Sequence, residues 1–379
     1  MTSAGRLYFP NLNGLRFIAA AAIFVDHVEW MKRLCGVPNH AGIPAIFRLG
    51  DLGVTLFFVL SGFLITYLLL EEKRRTGAIE IVKFYQRRML RIWPLYYLTV
   101  LLAFLVLPAF ITLPTWSVSR HEADFGPRFA LYLLLLPNLA QVTLPLVPFA
   151  AQLWSVGVEE QFYAFWPLVC RVANRRIPQV LLGVIAGLVG LRLVALGLSS
   201  LPAFTAWGVV AQFLYYFRIP AMALGAGGAW LLQERSRTWW EPLFAARTQW
   251  AALLVSTALN VCPIDVLGQL RQEVSAFLYA VLIVNAAANP QAILKLEHPV
   301  LRYLGRISYG FYIYQILALR IVFLALQRIG HLSDPVFSSA LIYAGGFAPT
   351  VALAAASYHL FEKRFIDLKE RFSPVPSAT

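Results

Sequence analysis

Apolar residues run along this chain in long blocks, each bounded by short polar stretches rich in Lys and Arg. Crossing the hydrocarbon of a bilayer takes about 20 mostly apolar residues in a helix. Ten blocks are read as spans, near 14–31, 51–71, 92–112, 151–170, 178–199, 205–232, 248–263, 274–289, 307–327 and 337–361. The seventh and eighth are the shortest. A further apolar stretch, 129–140, is too short to cross and is interrupted at Pro137-Asn138, so it is expected to be re-entrant or interfacial. The pattern predicts an all-α, polytopic helix bundle forming one domain over residues 1–379, with no soluble extra domain.

Composition supports the same class. Hydrophobic residues make up 59% of the 379 residues and charged residues 13%, against about 45–50% and 25% in soluble chains. So few charges cannot cover the surface of a globular enzyme this long. The N-terminal span lacks a small-residue cleavage site and is expected to be retained. Cys35, Cys170 and Cys262 have no metal-like spacing, and no His cluster offers a metal site. Buried free thiols are expected, with a Cys35–Cys262 bridge left open.

The net charge of +13 sits in loops rather than on one patch, which argues against nucleic acid as a partner. With the N-terminus inside, 22 Lys and Arg residues fall on the inner side and seven on the outer, with Arg192, Arg218 and Arg320 within spans. By the positive-inside rule both termini face the cytoplasm.

Ionisable groups inside spans are costly, and each is therefore a functional candidate. In the first span Arg16 and His27 are eleven residues apart, which places them about 20° apart around a helix and about 16 Å apart along it. His27 can act as a general base near neutral pH. Asp26 lies a quarter turn away and Glu29 close by. In the fourth span Glu159 and Glu160 are consecutive among aromatics, between Trp154 and Tyr163, and need a cation or donors from another helix. His27 lies at a plausible depth to be that partner. Arg87, Arg88 and Arg91 precede the third span, with Arg88 and Arg91 adjacent on one helix face, and offer phosphate ligands. The positive-inside effect accounts for much of that cluster. Ser61-Gly62 in the second span reads first as a close helix contact, as does the GAGGA run at 225–229. Ser308, Tyr309, Tyr312 and Gln315 form a polar aromatic stripe fit to line a cavity, and Glu362 closes the last span.

Five of these segments, in order and over nearly the whole chain, resemble the acyltransferase-3 family of integral membrane acyltransferases. They are Arg16 with His27, Ser61-Gly62-Phe63, Arg88 with Arg91, WSVGVEEQFY at 154–163, and LGRISYGFYIY at 304–314. The chain departs from the family's pattern at Gln315, where a His is common, and at Glu362-Lys363-Arg364, where the family closes its last helix with Glu-x-Pro. The resemblance implies a ten-helix enzyme that moves an acetyl or short acyl group from cytoplasmic acyl-CoA to a sugar hydroxyl. It also implies the cytoplasmic membrane of a bacterium, with a glycan, a lipid-linked sugar or a small molecule as acceptor.

Carried onto this chain, the family's activity places acyl-CoA on Arg16, Arg87, Arg88 and Arg91, with His27 as general base. Glu159 or Glu160 is expected to orient His27, with Asp26 beside it. Trp154, Ser61, Tyr163, Ser308, Tyr309, Tyr312, Gln315 and Glu362 are expected around the acceptor. Direct transfer and a covalent acyl-enzyme both fit the sequence. A proton-coupled transporter is the alternative, using the same Arg, His and Glu as a relay, but no inverted halves are visible. A lipid-binding scaffold would leave His27 and the glutamates unexplained.

Overall fold

The computed structural model describes residues 7–111, 122–234, 241–262, 267–328 and 335–373. Arg6, Arg120, Arg235 and Arg237, four of the residues in the charge count, and most of the outer segment 113–128 lie outside the described residues. Among those described, the structure is helical and contains no strand. The helices in chain order are α1 Leu12–Leu34, α2 Pro44–Thr76, α3 Ile81–Leu101, α4 Phe125–Leu133, α5 Pro137–Thr143 and α6 Trp154–Ala173. They continue with α7 Ile177–Ser199, α8 Trp207–Tyr216, α9 Ile219–Gln233, α10 Glu241–Phe244, α11 Ala246–Val261 and α12 Arg271–Ala288. The last four are α13 Pro299–Arg306, α14 Ser308–Arg328, α15 Pro335–Ser357 and α16 Lys363–Lys369.

Each of the ten apolar blocks falls on a helix or on two helices in series, but among the described residues only six stretches are long and apolar enough to cross a membrane by themselves. These are Pro44–Thr76, Ile81–Ala109, Ile177–Ser199, Trp207–Gln233, Ser308–Arg328 and Ser339–Phe372. The other four blocks correspond to α1 and α6, which carry charges along their length, and to α11 and α12, which are short or polar at one end. Burial divides the six. The apolar stretch of α2 is mostly inside the bundle and that of α7 is mostly outside it, so α2 is a core helix and α7 a peripheral one.

The short stretch 129–140 folds as α4 and α5, broken at Leu135, whose φ of 60° lies in the left-handed region. This irregular backbone is covered by α6. A Cβ at Gly157 would come 2.6 Å from Pro137, and the buried Asn138 amide exchanges hydrogen bonds of 3.1 and 2.8 Å with Gln161. Non-helical backbone at such depth is tolerated where protein supplies its partners.

Small residues set the central crossing. A Cβ added at Gly62 of α2 would fall 1.9 Å from the Met222 carbonyl oxygen, and one at Gly225 of α9 would fall 2.0 Å from that of Val59. The helices therefore touch backbone to backbone, as small residues permit in membrane bundles. Gly225→Ala is expected to force α9 away from α2 and cost about 1–3 kcal/mol or more. A lowered melting temperature in detergent is the check, and an unchanged one would mean that the helices are not in this contact. All three cysteines are free, Cys170 buried and Cys35 and Cys262 half-buried, so the Cys35–Cys262 bridge is not formed.

Candidate active site

The N-terminal turns of α1, α6 and α14 and the middle of α2 and α3 enclose a cavity of about 120 Å³. Three arginines line it: Arg16 from the first turns of α1, and Arg88 and Arg91 from one face of α3. One carboxylate, Glu159, faces them, and accepts a hydrogen bond of 2.6 Å from the Ser61 hydroxyl. Tyr163, Ser308, Tyr309 and Tyr312 complete the polar wall. Arg88 lacks a partner at its buried Nε, and Arg16 donates to Asn13 at 3.2 Å. Three guanidinium groups against one carboxylate make this a site in deficit of negative charge, and burial makes that deficit expensive.

A second, larger cavity of about 300 Å³ adjoins it. Here the chemistry is different. His27 and Asp26 of α1 line it, with Asp51 of α2, Gln152, Trp154, Tyr215, Tyr216 and Arg218. Asp51 pairs with Arg218, whose guanidinium also donates to the Thr55 hydroxyl at 3.1 Å. That guanidinium lies 5.5 Å from the Trp154 ring centre and 5.3 Å from that of Tyr215. Gly50 brings α2 close to Asp26, since a Cβ there would fall 2.3 Å from its Oδ2. Aromatic faces, carboxylates and one bound cation around a roomy cavity can stack on and hydrogen-bond to a polyhydroxylated ligand.

Val54 and Tyr312 line both cavities and form the wall between them. Tyr312 is held in place: its hydroxyl donates to the Gln152 carbonyl at 2.7 Å and lies 2.9 Å from the Ser155 hydroxyl. One turn further along α14, the fully buried Gln315 donates to the Tyr312 carbonyl at 3.1 Å. Gln315 is also within hydrogen-bonding reach of His27. The His27 Nδ1 and the Gln315 Oε1 are both buried without a partner.

The helix periodicity that puts Arg16 and His27 on one face of α1 thus delivers them to two different cavities. The expected partnership of His27 with Glu159 or Glu160 is not formed. Glu159 belongs to the arginine cavity with Ser61. Glu160 points to α3, where the Trp93 indole donates to it at 2.8 Å. Consecutive helix residues are 100° apart, so two adjacent glutamates cannot serve one target. Gln315, not a glutamate, approaches His27. Arg87 lines neither cavity, because it pairs with Glu72 at 2.8 Å and donates to the Phe372 carbonyl at 2.9 Å. Glu362 lines neither, and accepts from Ser357 at 2.8 Å in a widened turn at the end of α15. Asp51 and Arg218 were the pair missed as site residues. Opposite charges in two predicted spans were the available signal, but which spans touch is not written in the pattern. Among the described residues no group of three His, Cys, Asp or Glu gathers as a metal site would require.

A family model described as an acyltransferase domain matches residues 9–359, which includes every residue lining the two cavities. The chain belongs to the acyltransferase-3 family. Among curated proteins it is similar to O-acetyltransferase OatA of Staphylococcus aureus, 30% identical over 180 residues, covering 43% of this chain and 24% of that one. It is also similar to peptidoglycan O-acetyltransferase OatA of Listeria monocytogenes, 27% identical over 207 residues, covering 49% and 28%. The matched stretch is thus about a quarter of the length of these relatives. No solved structure matches the chain. The acyltransferase-3 match ends at residue 359, before Glu362 and α16.

Proposed function

We propose that the chain is a membrane O-acyltransferase that takes an acetyl or other short acyl group from cytoplasmic acyl-CoA and passes it to an acceptor hydroxyl. The acceptor class is a glycan or a lipid-linked sugar, in keeping with relatives named O-acetyltransferase and peptidoglycan O-acetyltransferase. The observation that carries this reading is the pair of adjoining cavities, one lined by three arginines and one by a histidine, with a single wall between them. A polyanionic donor and a neutral, hydroxylated acceptor need two such environments, in reach of each other.

In this reading the chain makes about ten passes, with both termini in the cytoplasm of a bacterium and the protein in its inner membrane. The 22-to-7 bias of basic residues supports that orientation. α1, α6 and α12 then cross with their polar groups met by neighbouring helices, and α11 crosses at the edge with its polar Gln249, Ser256 and Asn260 turned inward. The arginine cavity faces the cytoplasmic side, where the phosphates of acyl-CoA meet Arg16, Arg88 and Arg91. The histidine cavity holds the acceptor between Trp154, Tyr215 and Tyr216, with Asp26, Asp51 and Arg218 at its hydroxyls.

Transfer is a direct displacement. His27 takes the proton of the acceptor hydroxyl as its oxygen bonds to the thioester carbonyl carbon. The carbon–sulfur bond then breaks, the acyl ester stays on the acceptor, and the proton goes to the departing CoA thiolate. Gln315 fixes the ring of His27 as the third member of a triad does. The developing oxyanion forms near Tyr312, at the wall, where a hydroxyl or guanidinium donor stabilises it.

Acetyl-CoA titration of the purified chain in nanodiscs tests the donor half of the proposal. Binding by the parent supports it, and no binding by a folded sample overturns it. A labelled acyl group that stays covalently on the protein when acceptor is withheld would overturn direct displacement in favour of an acyl-enzyme. Gln315→Ala is expected to lower the transfer rate about tenfold while leaving the donor KM unchanged, because Gln315 reaches only the histidine side. Steady-state kinetics separate the two parameters; a raised donor KM at constant rate would argue against that role.

A further inference from the structure

The last described α-helix carries a lysine that is buried and, among the described residues, has no ion-pair partner. Lys369 of α16 is only 8% exposed. Among the described residues it forms neither a hydrogen bond nor an ion pair. Arg91, Arg88 and Arg16 lie close enough to act on its charge, as does the neighbouring carboxylate Glu370. Those three arginines are the ones that line the arginine cavity. Lys369 also lines a small cleft of about 20 Å³ with Glu72, Arg87, Arg88 and Ser373. Glu72 does not serve as its counter-ion, since its two oxygens accept from Arg87 at 2.8 Å and from the Glu80 backbone N–H at 2.8 Å.

Arg88 connects the two spaces, lining both, and its buried Nε is unpaired. The segment is anchored where it lies: α16 packs on α3, and Arg87 ties down the carbonyl of Phe372. Four cations are therefore gathered around the arginine cavity and the cleft that adjoins it, with Glu159 the one carboxylate lining the cavity. Such an arrangement is unfavourable alone and becomes favourable when a multiply charged anion with strong acceptor oxygens enters.

We infer that Lys369 is a phosphate ligand for the acyl donor, and that α16 completes the donor site from the C-terminal end of the chain. This rests on the proposed acyl-CoA reading. The cleft is too small for a phosphate by itself, so the group sits at its junction with the arginine cavity, shared between Lys369 and Arg88. The small cleft then accommodates the lysine stem.

Calorimetry of the full chain in nanodiscs tests it, with acetyl-CoA, acetyl-3′-dephospho-CoA and acetyl-pantetheine as probes. Lys369→Met is expected to weaken acetyl-CoA about 10- to 100-fold, the loss of a charge-assisted hydrogen bond. Lys369→Arg is expected to restore most of that loss. Acetyl-pantetheine, which has no phosphate, is expected to bind parent and variant alike. Retained loss on dephospho-CoA assigns Lys369 to the diphosphate, and its disappearance assigns the lysine to the 3′-phosphate. Equal affinity of parent and Lys369→Met for acetyl-CoA overturns the inference, as does an equal loss with acetyl-pantetheine, which would mark a packing defect. If the methionine variant does not fold, Lys369→Gln carries the same expectations. Failure of the parent to bind any of the three probes overturns the acyl-CoA reading itself, a result distinct from failure of Lys369 alone.

Discussion

Replacing His27 by alanine is expected to lower acyl transfer by about 10²–10⁴-fold, the usual contribution of a general base, with donor affinity within a few-fold of the parent. The two halves of that result come from separate features. The imidazole lines the cavity that Arg16, Arg88 and Arg91 do not, so its loss leaves the donor's charged contacts in place. The cavity it vacates gains room, which makes a compensating rise in acceptor KM small. Single-turnover transfer to a sugar acceptor, alongside acetyl-CoA calorimetry, measures both. Retained transfer in His27→Ala would remove the histidine from the chemistry. Loss of donor binding together with transfer would place His27 in the donor site instead, against the two-cavity division.

The second large effect is expected from Arg88→Ala/Arg91→Ala. Each hydrogen bond to a charged group contributes about 1.5–3 kcal/mol, so removing two is expected to weaken acetyl-CoA by about two to four orders of magnitude. Neither side chain forms an ion pair among the described residues, which separates this outcome from a folding defect. Arg87 is the internal control. It engages Glu72 and the Phe372 carbonyl, so Arg87→Ala strands a buried carboxylate and is expected to reduce stability more than it reduces binding at a site it does not line. Thermal melts and calorimetry on the same three samples distinguish these outcomes. Full acetyl-CoA affinity in the double variant would exclude Arg88 and Arg91 as donor ligands.

Gln315 illustrates how a departure in sequence takes on meaning through contacts. As a substitution for a commonly found histidine, it puts a catalytic duty at that position in doubt. In the bundle it lies beside His27 and bonds to the backbone of Tyr312, and in the proposed mechanism this neutral amide orients the ring without competing for its proton. Glu160 shows the reverse. Its place among membrane aromatics made it a candidate for catalysis, yet it is held by the Trp93 indole, outside both cavities.

The sequence by itself determined the helical membrane class, the position of every long helix and most of the polar groups inside the bundle. It did so because burying backbone in lipid leaves helices as the only open solution, and because charges in apolar blocks stand out against hydrocarbon. Helical rotation also placed Arg16 and His27 on one face of α1. Only the tertiary structure decided that these two residues serve different cavities, that Glu159 answers to Ser61 and the arginines, and that Asp51 finds Arg218. It also decided that Lys369, one basic residue among several in α16 and its flanks, comes to rest near arginines more than 270 positions earlier in the chain. Periodicity along one helix fixes which way a side chain points. Which helix it meets depends on backbone contacts such as Gly62 against Met222 and Gly225 against Val59, and those are properties of two segments together.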